Sequence, residues 1–161
     1  MKDGELDDLD RRIVYELQKD ARHTSSSDIA EVAGVSASTV RNRLRKLEES
    51  GIIRGYDVDI DYEAAGYQLY TKIVCTAPIK RREELAEQAL EVPGVVAVRE
   101  VMTGRDNVYV NAVGSDHDDL SDVAQRLDAM GLEVSDEQLI RNEYVCPYHG
   151  FSGEEMESRD E

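Results

Sequence analysis

Residues 36–51 constrain the fold more than any other stretch, because they combine a bounded amphipathic helix with a concentration of positive charge. Ser36 is suited to cap the start of a helix, and Gly51 is suited to end it in the left-handed conformation. Apolar residues recur between them at helical spacing, at Val40, Leu44 and Leu47. Residues 36–46 hold four basic side chains and no acidic one, in a chain of formal net charge −16. The sequence therefore predicts a basic helix within an acidic protein.

A shorter helix is predicted immediately before the basic one. Ser26 or Ser27 is suited to cap it and Gly34 to end it, with Ile29, Val32 and Ala33 facing inward. Two helices joined by a tight turn that contains glycine are typical of a helix-turn-helix when the second carries side chains that reach base edges. This arrangement predicts binding to double-stranded DNA. Taken alone, the basic helix is equally compatible with an ordinary solvated surface helix.

The polar side chains of the basic helix fall into two groups. We expect Ser38, Arg41, Asn42 and Arg45 to face the major groove, because Arg matches the guanine edge and Asn the adenine edge. Thr39 and Arg43 are expected to contact phosphate instead. The predicted DNA-binding residues are Ser36, Ser38, Thr39, Arg41, Asn42, Arg43 and Arg45.

Composition limits the classes of protein to which the chain can belong. Its 161 residues, 40% of them hydrophobic, suffice for one domain or two small ones. No apolar run approaches the ~18 residues of a membrane span, and the N-terminus lacks an apolar signal region, so we expect a cytoplasmic protein. The acidic excess resembles proteins of halophilic microbes, since ~1 M salt screens self-repulsion. An acidic protein from a mesophile is the alternative.

Four parts are predicted along the chain. Residues 1–53 form a DNA-binding domain, in which a first helix completes a three-helix core through Leu6, Leu9, Ile13, Val14 and Leu17. Residues 54–66 form a hinge and linker, and alternation of apolar and polar residues over 52–62 predicts a strand there. Residues 67–147 form a second domain for effector binding and oligomerisation. Residues 148–161 form an acidic tail expected to be disordered.

The second domain has the pattern βαββαβ. Strands are predicted at 67–77, 95–102, 107–113 and 133–145, and helices at 81–90 and 116–130. The fold class is therefore α+β, a three-helix domain followed by a ferredoxin-like antiparallel sheet with both helices on one face. In the second strand Val95 and Ala97 are expected to face one side, and Val96 and Val98 the other. Both faces are substantially apolar, so we expect a second copy to cover the face without helices.

Several short segments are similar to those of the Lrp/AsnC family, the feast/famine transcriptional regulators. They lie at residues 6–13, 35–40, 47–53, 92–95 and 103–106, so that the resemblance covers about residues 6–145. The resemblance implies a homodimer that assembles into tetramers or octamers. It also implies an amino acid bound between dimers by the loop that holds Gly104 and Asp106.

The residues of that loop also have a simpler interpretation. Gly104 and Asp106 suit a turn as well as they suit a ligand, where Gly allows close approach and Asp binds an ammonium group. The resemblance implies a small hydroxyl residue in the last strand near the ligand, and Glu137 stands at the corresponding place. An acidic residue there favours a cationic ligand such as lysine or arginine, or no ligand. The candidate effector-binding residues are Thr103, Gly104, Asp106 and Glu137.

Other functions are weaker candidates. Cys146 and His149 have a spacing found in metal sites, but a zinc site needs about four ligands, so we interpret them as part of a segment that covers the last strand. We expect no metal and no cofactor. Some relatives with the same domain plan are sirohaem decarboxylases, which need a cleft lined by His and Arg. A module that binds an effector or a partner without reading DNA is a third alternative.

Overall fold

The computed structural model describes residues 6–153 of the chain, which divide into two compact units. The helical unit holds the described residues up to Val58 and again from Tyr144 onward. The sheet unit spans residues 59–143. None of the helices in the described part is long and apolar enough to cross a membrane.

Three helices build the core of the helical unit, as the sequence predicts. They are α1 (Asp8–Asp20), α2 (Ser26–Ala33) and α3 (Ala37–Glu49). Their apolar stripes meet in one cluster of buried residues, formed by Ile13, Ile29, Ala30, Val40 and Leu47. Partly buried side chains pack around it, among them Leu9, Leu17 and Leu44. Burial of these stripes supplies the main driving force that holds the three short helices together.

Side-chain caps fix where each helix of this unit begins. Asp7 and Asp10 form a reciprocal capping box at α1, in which each carboxylate accepts from the other residue's backbone amide. The cap of α2 is Ser25 rather than the expected Ser26 or Ser27, because Asp28 three residues later completes a second capping box only with Ser25. The Ser36 hydroxyl caps α3 as predicted.

The hinge strand predicted over residues 52–62 is wrong, since the structure has no strand between α3 and residue 69. Val58 and Ile60 are exposed there, the former by 80%. Alternation of apolar and polar residues produces a strand only where a neighbouring strand satisfies its backbone groups. The described part of this chain offers no such neighbour.

The sheet unit has the predicted order of elements. Its strands are β1 (Leu69–Thr76), β2 (Val95–Glu100), β3 (Val108–Gly114) and β4 (Glu133–Leu139), and its helices are α4 (Arg82–Ala89) and α5 (His117–Met130). All pairings are antiparallel, in the spatial order β2-β3-β1-β4. Both helices pack on one face over a core that includes Ile73, Leu85, Val110 and Leu127, all 0% exposed.

Two bulges change which side chains share a face. Between Val95 and Ala97 the register of β2 against β3 shifts, and both Val95 and Val98 pack against the core. The expected alternation, which placed those two valines on opposite faces, is therefore wrong. A second shift lies in the pairing of β1 with β4, where Val74 pairs with Asp136 and Cys75 with Val134. Residue 135 is thus the extra residue of β4, in the position of a bulge.

The open face of the sheet is less apolar than expected. The side chains opposite to the core on β1 and β3 include Tyr70, Lys72, Val74, Tyr109, Asn111 and Val113. The Asn111 amide donates to the Tyr70 hydroxyl at 2.8 Å, and the Lys72 ammonium lies 5.7 Å from the centre of the Tyr109 ring. This face therefore combines aromatic area with satisfied polar groups, a composition typical of surfaces that bind a partner.

Candidate nucleic-acid interface and effector loop

Helix α3 is held from one side and exposed on the other. Val40 and Leu47 are 0% and 3% exposed, and they fix the helix against α1 and α2. The side chains of Ser38, Arg41, Asn42 and Arg45 are exposed, as the sequence predicts for a reading face. The core therefore sets the orientation of the helix, and its polar side is free to enter a groove.

Three hydroxyl groups gather at the start of α3. The Ser36 hydroxyl lies 2.8 Å from the Ser38 hydroxyl and 2.8 Å from the Thr39 hydroxyl. It also accepts from the backbone amide of Thr39 at 3.1 Å. Because the helix dipole makes this end electropositive, the cluster suits an anionic group such as a backbone phosphate.

Two residues of the predicted reading face are hydrogen-bonded to each other. An Arg45 guanidinium nitrogen donates to the side-chain oxygen of Asn42 at 2.8 Å, one helical turn apart. The Asn42 amide nitrogen and the remaining Arg45 nitrogens are left as donors. Such a pair matches acceptor atoms in the major groove, O6 and N7 of guanine or N7 of adenine.

Arg43 does not lie with the other basic residues of α3. Its guanidinium contacts the Asp7 carboxylate at 2.7 Å and the Asp10 carboxylate at 3.2 Å, which form the capping box of α1. The backbone hydrogen bond from Asp10 and then the bond from Arg43 hold the pKa of Asp7 below its ordinary value. Through its Nη1 atom, Arg43 braces α3 against α1. The phosphate contact expected of this residue stays a prediction.

In the sheet unit, the structure brings Asp106 together with two hydroxyl residues. The Ser135 hydroxyl lies 2.9 Å from Asp106 Oδ1, and the Thr76 hydroxyl donates to the same oxygen at 3.3 Å. Within the described residues, no donor is placed on the second carboxylate oxygen, Oδ2. Thr103 and Gly104 are exposed in the loop before Asp106, and the φ of +100° at Gly104 is one that favours glycine.

Asn107 anchors this loop to the sheet. Its side-chain oxygen accepts from the Ala77 amide at 2.8 Å, and its side-chain nitrogen donates to the Ala77 carbonyl at 2.9 Å. Asn107 is only 6% exposed, and its own backbone amide donates to the Cys75 carbonyl. A buried and fully paired amide at this place fixes the position of the neighbouring Asp106.

Glu137 is not in the hydrogen-bonded group around Asp106. It pairs with Ile73 across the ladder, and Ser135 supplies the hydroxyl of the last strand instead. Burial, then the charge of Asp106 and then that of Glu137 raise the pKa of the Cys75 thiol to about 12. The negative potential of both carboxylates thus reaches this part of the sheet.

Sequence reasoning missed Thr76, Ser135 and Asn107. The resemblance placed Glu137 near the ligand, whereas Ser135, two positions earlier and at the bulge of β4, is the residue whose hydroxyl reaches Asp106. Asn107 has a weak signal, since Asn is unusual at the start of a buried strand and needs partners when it is buried.

Comparison with known proteins agrees with this geometry. A winged helix-turn-helix DNA-binding family model matches residues 6–54. The transcriptional regulator LrpA of Pyrococcus abyssi is 37% identical over 120 residues, which cover 73% of this chain and 82% of LrpA. The crystal structure of the leucine response regulatory protein LrpA of Mycobacterium tuberculosis has a TM-score of 0.72 at 30% identity, and the match covers 87% of this chain and 95% of that one.

A further structural neighbour is a transcriptional regulator from Neisseria meningitidis, solved in complex with L-Met. The match has a TM-score of 0.71 at 24% identity and covers 89% of this chain and 94% of that chain. At this identity, it shows a similarity of fold alone. The fold, the matched helix-turn-helix and the extent of the LrpA match lead to one conclusion. The chain is a DNA-binding transcriptional regulator that belongs to the Lrp family.

Proposed function

We propose that α3 reads DNA in the major groove through Ser38, Arg41, Asn42 and Arg45. The observation that supports this most is the division of the basic residues of α3. Arg43 is engaged by Asp7 and Asp10, whereas Arg41 and Arg45 are exposed and have no acidic partner within the described residues. In a chain of net charge −16, exposed cations on one helix face indicate an anionic partner at that face.

The hydroxyl cluster at the start of α3 has a separate role in this proposal. Ser36 and Thr39 contact a backbone phosphate, which sets the register of the helix on the duplex without reading bases. Since phosphate contacts carry no sequence information, replacement of Thr39 weakens binding to all DNA sequences by a similar factor.

The experiment compares Arg41→Ala and Arg45→Ala with the full chain on a DNA sequence obtained by selection in vitro. We expect each substitution to cost ~1–3 kcal/mol, about a 5- to 150-fold loss of affinity, and to relax the preference at one base position. Arg99→Ala removes the same charge from an exposed position on β2 and serves as the control. If all three variants bind alike in fluorescence anisotropy at fixed salt, the proposed reading face is overturned.

We propose further that an amino acid binds at the loop of Asp106 and modulates DNA binding. The free Oδ2 of Asp106 receives the ligand's ammonium group, while Thr76 and Ser135 hold the carboxylate in place through Oδ1. The glycine at 104 lets the ligand approach the backbone closely. The nearby charge of Glu137 favours a ligand with a second positive group, such as lysine or arginine.

Calorimetric titration of the protein with each of the twenty amino acids tests this second proposal. We expect at least one to bind, and Asp106→Asn to weaken its binding at least tenfold, because a charged hydrogen bond is lost. Asp136→Asn removes a carboxylate of β4 that contacts only Gln138 among the described side chains, and it serves as the matched control. The proposal fails if no amino acid binds or if the two variants lose affinity equally.

We also propose that the protein acts as a homodimer that assembles into tetramers or octamers. The open sheet face supports this, since its aromatic and polar side chains suit a second copy of the same face. A two-fold dimer presents two copies of α3 to the two half-sites of a palindrome. Sedimentation analysis at several protein concentrations tests it, and a monomer at micromolar concentration contradicts it.

A further inference from the structure

Residues 148–152, which the sequence places in a disordered tail, pack against α1, and we call them the C-terminal clasp. The Tyr148 amide donates to the side-chain oxygen of Gln18 at 3.3 Å, and the Arg12 guanidinium donates to the Ser152 carbonyl at 2.9 Å. A short 3₁₀ turn at His149–Phe151 brings the Tyr148 and Phe151 rings together edge to face, with centres 4.9 Å apart. Ser152 is only 6% exposed. The clasp is thus a built part of the helical unit.

The chain just before the clasp is anchored in the sheet unit. The Tyr70 hydroxyl donates to the Glu143 carboxylate at 3.3 Å, and the amide of Ile140 donates to the Tyr70 carbonyl at 2.7 Å. Residues 144–147 then lead into the helical unit, with Tyr144 and Val145 more than four-fifths exposed. The helical unit is therefore connected covalently to the sheet unit at two places in the chain, after residue 58 and again after residue 143.

Both connections are short. From Glu143 to Tyr148 the chain makes five Cα-to-Cα steps, which span ~18 Å at most. On the other connection, the Tyr56 hydroxyl donates to Glu48 at 2.9 Å and the Tyr62 ring lies 5.4 Å from the Tyr70 ring. The six steps between those two tyrosines span ~21 Å at most. A body held by two short tethers at different points has fewer accessible orientations than one held by a single tether.

We propose that the C-terminal clasp makes the regulator selective for the spacing between the two half-sites of its DNA. This inference rests on the proposed function, namely a dimer that presents two copies of α3. With the clasp engaged, each helical unit has few accessible orientations. Only a narrow range of half-site spacings then allows both copies of α3 to bind at once. Without the clasp, the linker alone holds the unit, and other spacings become accessible at a small cost.

Two truncated forms of the chain give a matched test. One lacks residues 154–161, and the other lacks residues 148–161, so that they differ only by the clasp and Gly153. The two forms differ by six residues, which are Tyr-His-Gly-Phe-Ser-Gly. None of these is Asp, Glu, Lys or Arg. A change in DNA affinity between the two forms is therefore not caused by loss of an acidic residue, a lysine or an arginine. The full chain and the point variants Phe151→Ala and Gln18→Ala are measured beside them, in case the longer truncation fails to fold.

The DNA probes carry a single half-site, or two half-sites whose separation is increased in steps to half a helical turn. For the full chain and the shorter truncation, we expect a half-turn change (~5 bp) to lower affinity at least ~10-fold. For the form without the clasp and for the two point variants, we expect a loss below ~3-fold. Affinity for a single half-site is expected to be the same for all forms.

The possible results separate the two proposals. If the clasp variants keep the full spacing response while they bind a single half-site normally, the clasp does not determine spacing and this inference is overturned. If the full chain itself binds no half-site, the proposed function fails, and the inference fails with it. Hydrogen exchange of the Tyr148 and Ser152 amides reports whether each point variant has released the clasp.

Discussion

At the scale of single residues, charge alone does not tell which cations of α3 meet DNA. Arg43 and Arg45 are two positions apart in α3, whose four basic residues all lie between positions 41 and 46. Residues two apart point to different sides of a helix, so Arg43 reaches the capping box of α1 while Arg45 reaches Asn42. Arg43 and Arg45 thus have different partners, and the neighbouring helix α1 determines that of Arg43.

The role of Arg43 as a brace leads to a specific expectation for Arg43→Gln. Loss of the bridges to Asp7 and Asp10 lowers the free energy of unfolding by ~1 kcal/mol, since the group is only partly exposed. DNA affinity falls without a change in its salt dependence, because no phosphate contact is lost. Urea unfolding measures the loss of stability, and binding titrations over a ~fourfold range of salt, from ~50 to ~200 mM, measure the salt dependence.

A contradictory outcome for Arg43→Gln is a salt slope smaller by ~0.9, the value of one lost phosphate contact. Thr39→Val provides the opposite case, since Thr39 belongs to the hydroxyl cluster that faces phosphate in our proposal. The salt slope of Thr39→Val is expected to be unchanged, as for Arg43→Gln, because a neutral hydroxyl releases no counterion. The two variants differ in stability, since the urea stability of Thr39→Val is expected to stay closer to that of the full chain.

At the scale of elements, acidic caps make the helical unit sensitive to low pH. The pKa of Asp28 is held below its ordinary value of 3.8 by hydrogen bonds from the Ser25 side chain and backbone, and that of Asp7 by the Asp10 amide and Arg43. A carboxylate with a lowered pKa in the folded state stabilises it fully above the ordinary value. That stabilisation is lost as the pH falls from there through the lowered pKa values.

The double variant Asp7→Asn, Asp28→Asn tests this expectation. The side-chain oxygen of Asn can accept the same backbone hydrogen bonds at both positions, but Asn does not titrate in this range. We therefore expect the variant to lose less stability than the natural chain between pH 5 and ~2, when both are measured by urea unfolding with helical circular dichroism. Equal pH dependence of the two proteins would show that the caps do not contribute through their charge.

The elements themselves are largely predictable from the sequence, whereas their contacts are not. Apolar stripes predict α1, α2 and α3, and the patterns of strands and helices predict the βαββαβ order. The predicted elements of the sheet unit end within a few residues of the observed ones, apart from the last strand. The strand predicted over 133–145 ends at Leu139, because the residues beyond it leave the sheet for the helical unit. Where a strand ends depends on its pairing with distant segments, and the spacing of apolar residues along the sequence does not reveal that pairing.

The candidate sites show the same limit. The exposed positions of α3 follow from its apolar stripe, so Ser38, Arg41 and Arg45 could be assigned directly. The group around Asp106 requires β1, β4 and the loop to be brought together, and Ser135 rather than Glu137 is the residue of β4 that takes part. The clasp on α1 was missed because its contacts join residues that are 130 and 140 positions apart.

At the scale of the whole molecule, the net charge of −16 opposes the compact state at low ionic strength. The Debye length falls from ~10 Å at 0.1 M to ~3 Å at 1 M salt, so repulsion between distant carboxylates is largely removed. We expect the melting temperature to rise by several degrees over that range of KCl, as ~1 kcal/mol of relieved repulsion raises it by ~2–8 °C.

Scanning calorimetry in KCl, with sucrose of matched osmolality as the control for solvent exclusion, measures this response. A melting temperature that falls or stays constant between ~0.1 and ~1 M KCl contradicts it. The same salt weakens long-range attraction to DNA, so in our proposal recognition at high salt depends on the direct contacts of Arg41, Asn42 and Arg45.

The order of strands has a consequence for how copies of this protein associate. β2 and β4 are the outer strands of the sheet, and each leaves a row of backbone groups unpaired on one side. β4 carries Glu133, Asp136 and Glu137 within seven residues and bends at a bulge, two features that discourage another molecule from adding its own strand there. Growth of a continuous sheet from molecule to molecule is therefore disfavoured at the β4 edge. This agrees with our proposal that copies associate through the open face of the sheet.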